Sequence, residues 1–458
     1  MTSSPAALAT VIAPRWGDRA GTRPRRRCTM CGMTEIIRAG SAHDFLALVP
    51  AIAGYRPERS LVCVAFRGNR TAGLLRHDLP KRIADHDSLV GHLIGTLCRM
   101  PGVDALVPIV YTSSGYASTR ARNERRLLDR ILHDAAEAGF EVRDALRVAS
   151  DGWGSVLDPD APASGHPLEL IATAPAAARG AAASASRARD GAALPRPDAG
   201  YRREVAEALD AFGEVGRRDA FGRYGIGRRL EAALDALGDA TDPVVLVEVL
   251  ARCRVGEARP EERPEALLVG WLAHLAEAPR YRDAMMLQFA FGALVGETAF
   301  EFGLDGLGDV HDDVHDVEGT RDLDYEAAMV DAYEPSTALL GDPMPARLLL
   351  GLSTVRPDAD RVERAIAVLR LALAHVDPSR SAGLACMAAW LSWTLGRGTV
   401  AAAFLDLADR GDPGCTMAGL LRAYFASGAL PEWAFHDALD PRDATARPDL
   451  PASGLSAR

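Results

Sequence analysis

Residues 44–66, DFLALVPAIAGYRPERSLVCVAF, constrain the fold more than any other stretch. They read as an amphipathic helix, a glycine stop, a charged turn around Pro57 and a near-continuous apolar strand. Ser41 can cap the helix, with Asp44 three residues on as its reciprocal partner. Phe45, Leu48, Val49 and Ile52 then share one face. Pro50 should kink the helix, and Gly54 should end it in the left-handed position.

Beyond this stretch, strand and helix patterns alternate. The β-rich run 60–66, the turn Arg67-Gly-Asn-Arg70 and the strand 71–78 predict a hairpin. Asp87 or Ser88 can cap a helix running to Met100, which Pro101-Gly102 stops. The strand 105–112 contains Pro108, a residue that favours a bulge or an edge. A charged amphipathic helix over 120–138, a strand over 142–149 and a short return at 153–157 complete a mixed α/β sheet domain over 34–160.

The chain's 458 residues exceed one core and suggest roughly two or three domains at about 150 residues each. Residues 1–33 are basic and aperiodic, and are expected to be a disordered tail or to precede a true start at Met33. Cys28 and Cys31 make a CxxC there with no second ligand pair at matching spacing. Residues 161–200 are Ala/Pro-rich and read as a linker. From Tyr201 the apolar spacing is helical over 201–302, interrupted by an acidic loop at 303–320, and helical again over 321–440. Residues 441–458 should fray. The stretch from Trp390 to Cys415 resembles one tetratricopeptide-like helix pair. The fold class expected is therefore an α/β mixed-sheet N-terminal domain followed by a mostly α-helical C-terminal region with a helical-repeat-like end.

Net charge is -10, which argues against a nucleic-acid backbone as the main partner, since that affinity rests on counterion release by basic residues. The arginines of helix 120–130 are interrupted by Glu124 and Asp129. Of the 52 lysines and arginines only Lys81 is a lysine, and no Ser or Thr follows it, so a P-loop is excluded. The 7 cysteines (Cys28, Cys31, Cys63, Cys98, Cys253, Cys386, Cys415) are scattered and odd in number, as expected of reduced thiols in the cytoplasm. No apolar run approaches the ~20 residues that span a bilayer, so no membrane association is expected.

Topology supplies the one geometric inference about a site. A crossover makes strands 71–78 and 105–112 parallel, and 60–66 antiparallel to 71–78. Arg56, Glu58, Ser60, His77, Asp78, Tyr111, Thr112, Ser113, Ser114, Asp151 and Trp153 should gather at the edge where parallel strands end. One reading is a small-molecule or phosphate pocket, with Arg56 binding an anion, His77 and Asp78 in acid–base work, and Ser113 or Ser114 donating hydrogen bonds. The other is that these are ordinary turn and cap residues, Ser118 or Thr119 being a helix cap. No metal is expected; His311 and His315, at i, i+4 among aspartates, are the weaker alternative to a solvated acidic loop. No GxSxG or dinucleotide fingerprint is present, and no cofactor is indicated.

Residues 46–66, with RHDLP (76–80), PIVYT (108–112) and DALRVASDGWGS (144–155), resemble the actinobacterial family catalogued as domain of unknown function 4192. The helical end, with Ala388-Ala-Trp390 and Asp412-Pro413, is similar to the end of the same family. The resemblance covers most of 33–428 and implies the architecture above, with members commonly starting near Met33. It also implies a cysteine- and proline-rich loop after the tryptophan block, where this chain has LDPDAPASGHPL and no cysteine. It implies no reaction. The function expected is a non-catalytic interaction or scaffold protein with a protein partner for the helical region, the alternative being a small-molecule-binding protein or hydrolase with its site at the sheet edge.

Overall fold

The computed structural model describes residues 40–53, 55–178, 190–213, 228–255, 263–302 and 344–436, and the backbone alone of 10–12, 36–38 and 302. Gly54, His311, His315 and the acidic loop lie outside the described residues. The chain divides into two compact units, Met1–Ala193 and Leu194–Arg458.

The first unit is built on a mixed sheet. Its elements are β1 (Thr10–Ile12), β2 (Ile36–Arg38), α1 (Ala42–Ala53), β3 (Ser60–Arg67), β4 (Arg70–Asp78), α2 (His86–Arg99), β5 (Ala105–Tyr111), α3 (Ala121–Glu137), β6 (Glu141–Val142), β7 (Leu146–Val148), β8 (Trp153–Ser155) and α4 (Glu169–Ala172). The strand order is β2-β1-β4-β3-β5-β7-β8, with β6 also on β5. β3 is antiparallel to both β4 and β5, and β5 is parallel to β6 and β7. Seven consecutive β3 residues are buried, because helices cover both faces. Val62, Val64 and Phe66 pack with Phe45, Leu46 and Leu48 of α1, while Leu61, Cys63 and Ala65 pack with α2 and α3 through Leu93, Leu97, Leu128 and Ile131.

Ser41 and Asp44 form the expected start of α1: the Asp44 N–H donates to Ser41 Oγ at 3.2 Å, and Ser41 Oγ–H donates to Asp44 Oδ2 at 2.9 Å. α2 departs from expectation, since neither Asp87 nor Ser88 caps it; a 3-10 turn over Ile83–Asp85 leads into it and no side chain bonds its N-terminus. Pro108 stands in mid-ladder opposite Cys63, with β3 paired unbroken past it, rather than at a bulge or an edge. Its missing N–H is tolerated because β6 ends at the Leu106 pair and β7 begins at the Ile109 pair, leaving the ladder open beside it. The single strand expected over 142–149 is therefore two short ones. Asp144 is buried in the break, where Oδ1 accepts from the Ala145 N–H and from Ser155 Oγ–H. Ala174 and Ala176, from the Ala/Pro-rich stretch, are buried against α1 and the sheet beside Ile171. Small alanines dock there without the large apolar side chains that mark a docking segment in sequence.

The second unit is mostly helical: α5 (Ala199–Phe212), α6 (Arg228–Leu237), α7 (Pro243–Arg252), α8 (Ala266–Leu275), α9 (Pro279–Phe291), α10 (Ala293–Phe302), α11 (Met344–Leu349), α12 (Ala359–His375), α13 (Ala382–Thr394), α14 (Gly398–Gly411) and α15 (Thr416–Ala426). Within the region expected to be helical over 201–302, Gly292 at φ 95° ends α9 and separates it from α10. α13 is apolar all round and almost wholly buried, as such a helix must be. Three indoles tie its C-terminal half to the chain around it: Trp390 Nε1–H donates to Leu349 O, Trp393 to Ala429 O, and Trp433 to Thr394 O. Arg361 of α12 bonds Glu248 of α7 at 2.7 Å, and Gln288 of α9 donates to Val244 O and Glu248. No helix among the described residues is long and apolar enough to cross a membrane.

Gly383 seats α13 against α8: a Cβ there would lie 2.1 Å from the Ala276 carbonyl oxygen, a backbone atom that cannot swing away. Gly383→Ala should cost about 2–3 kcal/mol by overpacking, read as a lower urea midpoint at unchanged slope by tryptophan fluorescence. A midpoint equal to wild type would refute this seating.

Candidate functional site

The β3 register fixes the edge. Ser60 stands opposite Asp78 on β4 and Tyr111 on β5, Tyr111 pairs Val148 on β7, and Val148 pairs Trp153 on β8. Asp78, Ser60, Tyr111 and Trp153 thus occupy one row across the sheet. Directly paired residues share a face, and their sequence neighbours point to the other. Tyr111, Val148 and Trp153 join the α1-side core, so the Ser60 row faces α1. His77 pairs Leu61, whose side chain faces α2. Its ring meets His92 of α2 edge-on at 5.5 Å. His77 and Asp78 therefore point to opposite faces, and the expected acid–base pair is not assembled.

Three residues outside the expected set lie in or beside this row. Arg76, two before Asp78, shares its face and donates to Asp78 Oδ1 at 2.7 Å. Tyr55, in the turn between α1 and β3, lies in the field of Arg76 and Asp78; burial outweighs Arg76 and pushes its phenol up. Arg59, the one non-glycine residue at positive φ among the described residues, has φ 43° immediately before Ser60. Ser60 is 0% exposed, and neither its hydroxyl nor the Tyr111 hydroxyl has a hydrogen-bond partner among the described residues. Burial, and secondarily Tyr55, push the Tyr111 phenol up, so it stays a neutral donor. Arg56 and Glu58, in the turn before Ser60, and Asp78 are exposed.

The remaining expected residues serve the loops. The Thr112 N–H donates to Val148 O, Ser114 N–H to Thr112 Oγ1, and Ser150 N–H to Ser114 O. Asp151 Oδ1 accepts from the Tyr116 N–H at 2.6 Å. Beneath them Arg147, 4% exposed, bonds Glu124 of α3 at 2.6 Å and donates to the carbonyls of Tyr116 and Gly115. The Tyr116 ring lies under the Arg147 guanidinium and against Gly154 and Gly165, where a Cβ would collide with it. Trp153 donates to Pro167 O and stacks near His166. Ser113 is exposed. Ser118 does not cap α3; Arg120 holds that position without a side-chain bond. Glu124, expected to break the arginine face of α3, is turned inward to Arg147.

Chemically, the row offers two neutral hydroxyl donors beside a guanidinium, which suits a polar or anionic oxygen. Among the described residues no base lies within hydrogen-bond reach of Ser60 to activate it as a nucleophile. Burial, His92 and Arg76 together hold the His77 imidazole down at about 4 against the pull of Asp78, leaving it neutral at pH 7. Among the described residues one group has metal-ligand spacing, His133, Asp134 and Glu137 on α3, away from this row.

These features define a protein with a mixed α/β sheet unit, a mostly helical second unit, and a polar row at the sheet edge. The chain belongs to the family described as Domain of unknown function (DUF4192), whose model matches residues 43–297 and 310–432. No curated protein and no solved structure matches it.

Arg147→Ala leaves the buried Glu124 carboxylate unpaired and should cost about 3–5 kcal/mol in a urea titration; a loss under about 1 kcal/mol would show that the pair does not hold the 112–118 loop. The unfolded His77 protonates below about 6.5, the folded one only near 4, so between those pH values the unfolded state binds more protons. Stability should fall as pH drops through that window, by on the order of 2–3 kcal/mol. His77→Gln should flatten this part of the pH–stability curve, and an unchanged curve would contradict the burial of His77.

Proposed function

We propose that this protein acts by binding rather than by catalysis, as an interaction protein whose α/β unit recognises a small polar or anionic group at the sheet edge. The observation that carries the reading is the pair Ser60 and Tyr111: register partners on one face, both hydroxyls shielded and without a partner, next to a left-handed Arg59. A buried hydroxyl without a bond costs about 1–3 kcal/mol, and strained backbone costs a similar amount. A ligand that accepts from both hydroxyls, reached when the 55–59 turn moves, would recover that cost. Arg76 supplies the cation, exchanging Asp78 for the ligand, and exposed Arg56 guides an anion in.

Hydrolysis would need His77 and Asp78 to act together, and the pleat separates them. A protein partner on the helical unit belongs to the same proposal. So does a cytoplasmic location, supported by the free thiols Cys63, Cys98, Cys253, Cys386 and Cys415. Nucleic acid is not part of it: although Glu124 turns inward, Asp134 and Asp87 pair with Arg130 on the exposed face of α3.

A thermal-shift screen of the full chain against metabolites, nucleotides and inorganic anions tests the reading. A ligand at about 100 times its Kd should add roughly 2.7 kcal/mol. Ser60→Ala and Tyr111→Phe should each leave the free protein as stable as wild type or stabilise it by about 1 kcal/mol, yet abolish the ligand shift. Variants that lose stability and keep the full ligand shift would make the hydroxyls structural and sink the proposal.

A further inference from the structure

The helical unit holds a second pair of chemically reactive groups, independent of the sheet edge. Cys386, on α13, is 0% exposed; Cys415, at the N-cap of α15, is partly exposed. Their sulfurs are 3.9 Å apart, although the residues are separated by 29 positions and the whole of α14. The groups facing them are few. The Ala418 N–H of the first turn of α15 bears on Cys415 without capping it, and the buried Arg282 of α9 bears on both thiols. Asp283, bonded to Arg282 at 2.7 Å, bears on Cys386, and exposed Asp412 bears on Cys415. Asp412 Oδ1 is engaged by the Gly414 N–H at 2.9 Å.

We propose that Cys386 and Cys415 are a peroxide-reactive dithiol, with Cys415 the attacking thiol and Cys386 the resolving one. Accessibility assigns the roles: a hydroperoxide can reach Cys415 and cannot reach Cys386. The environment suits them too. The contact with Cys386, the Ala418 N–H and Arg282 bring the Cys415 thiol down to about 6 against the opposing effects of burial and Asp412. Its contact with Cys415, together with burial, pushes the Cys386 thiol up. In the first step the Cys415 thiolate attacks the peroxide oxygen. An S–O bond forms, the O–O bond breaks, and the leaving alkoxide takes a proton to depart as an alcohol, or as water from hydrogen peroxide. In the second, Cys386 attacks the sulfenic sulfur, the S–S bond forms, and hydroxide leaves with the Cys386 proton as water. Two thiols are oxidised by two electrons, and one hydroperoxide is reduced to an alcohol and water. The sulfurs need to close from 3.9 Å to about 2.05 Å. The product would pin the start of α15 to α13.

The test is a non-reducing peptide map of the full-length chain after equimolar hydrogen peroxide. The expected product is a Cys386–Cys415 linked peptide that dithiothreitol reverses, with Cys415 consumed at least about tenfold faster than exposed Cys98 at pH 7. Cys386→Ala should accumulate a dimedone-trappable sulfenic acid on Cys415, and Cys415→Ala should leave Cys386 reduced. The rate of Cys415 alkylation by iodoacetamide should rise through pH 6, as fixed by Arg282, Ala418, Asp412, Asp283 and Cys386 around it. The proposal is overturned if Cys98 oxidises first while Cys386 and Cys415 stay reduced, or if alkylation of Cys415 rises only above pH 8. The wild-type map alone decides this should either variant fail to fold.

Discussion

β3 pairs on both sides from Ser60 to Phe66, and everything at the edge depends on that double register. Ser60 is its first residue and is held opposite Asp78 and Tyr111 at once. A slip of one residue in either ladder would exchange the α1 and α2 faces and bury Asp78 or Arg76 in place of leucine. The slip is prevented from both directions. Val62, Val64 and Phe66 have a core on one face, Leu61, Cys63 and Ala65 on the other, and fully burying such a side chain contributes about 1.5–3 kcal/mol. The row of polar groups therefore inherits its geometry from apolar packing that takes no part in binding.

That dependence explains what the sequence could and could not reveal. Strand order and direction follow from the hairpin and the crossovers, so the gathering of Ser60, Asp78, Tyr111 and Trp153 at one edge was legible from residue spacing. Facing is legible too once period two is applied: His77 and Asp78 are adjacent, hence opposed, while Arg76 and Asp78 are two apart, hence together. The roles of Arg147 and Glu124 were not legible. An arginine in a short strand and a glutamate in a charged helix look solvent-facing until the loop 112–118 is seen to need a buried guanidinium for its carbonyls. Ala174 and Ala176 were hidden for a similar reason, since an alanine-rich stretch carries no amphipathic signal that separates docking from a loose linker.

The helical unit shows the same limit in another form. Periodicity located most of its helices because they bury one stripe, but it says nothing of which helices meet. Glu248, Gln288 and Arg361 lie on three helices and converge on one network. Cys386 and Cys415 belong to two helices with a third between them in sequence. Along the chain the cysteines are scattered; in space, two of them are within hydrogen-bond range.

The contrast between the two edge clusters bears on which one is functional. Around Arg147 the charges and carbonyls are paired, with Ser118 Oγ alone of the loop hydroxyls shielded and unbonded: Glu124 neutralises the guanidinium, two carbonyls accept from it, and Asp151 and Ser114 close the loop. Such closure is what a structural site requires, because a buried charge is tolerated only when paired and bonded. Around Ser60 the reverse holds, with two shielded hydroxyls unbonded and a strained residue beside them. Stability alone would replace Ser60 by alanine and Tyr111 by phenylalanine, since either change removes a buried polar group without opening a large cavity. Arg59 has the same standing, because glycine would hold its φ without strain. Local rules broken together at one point are where a fold yields stability to function, and here that point is the turn from α1 into β3.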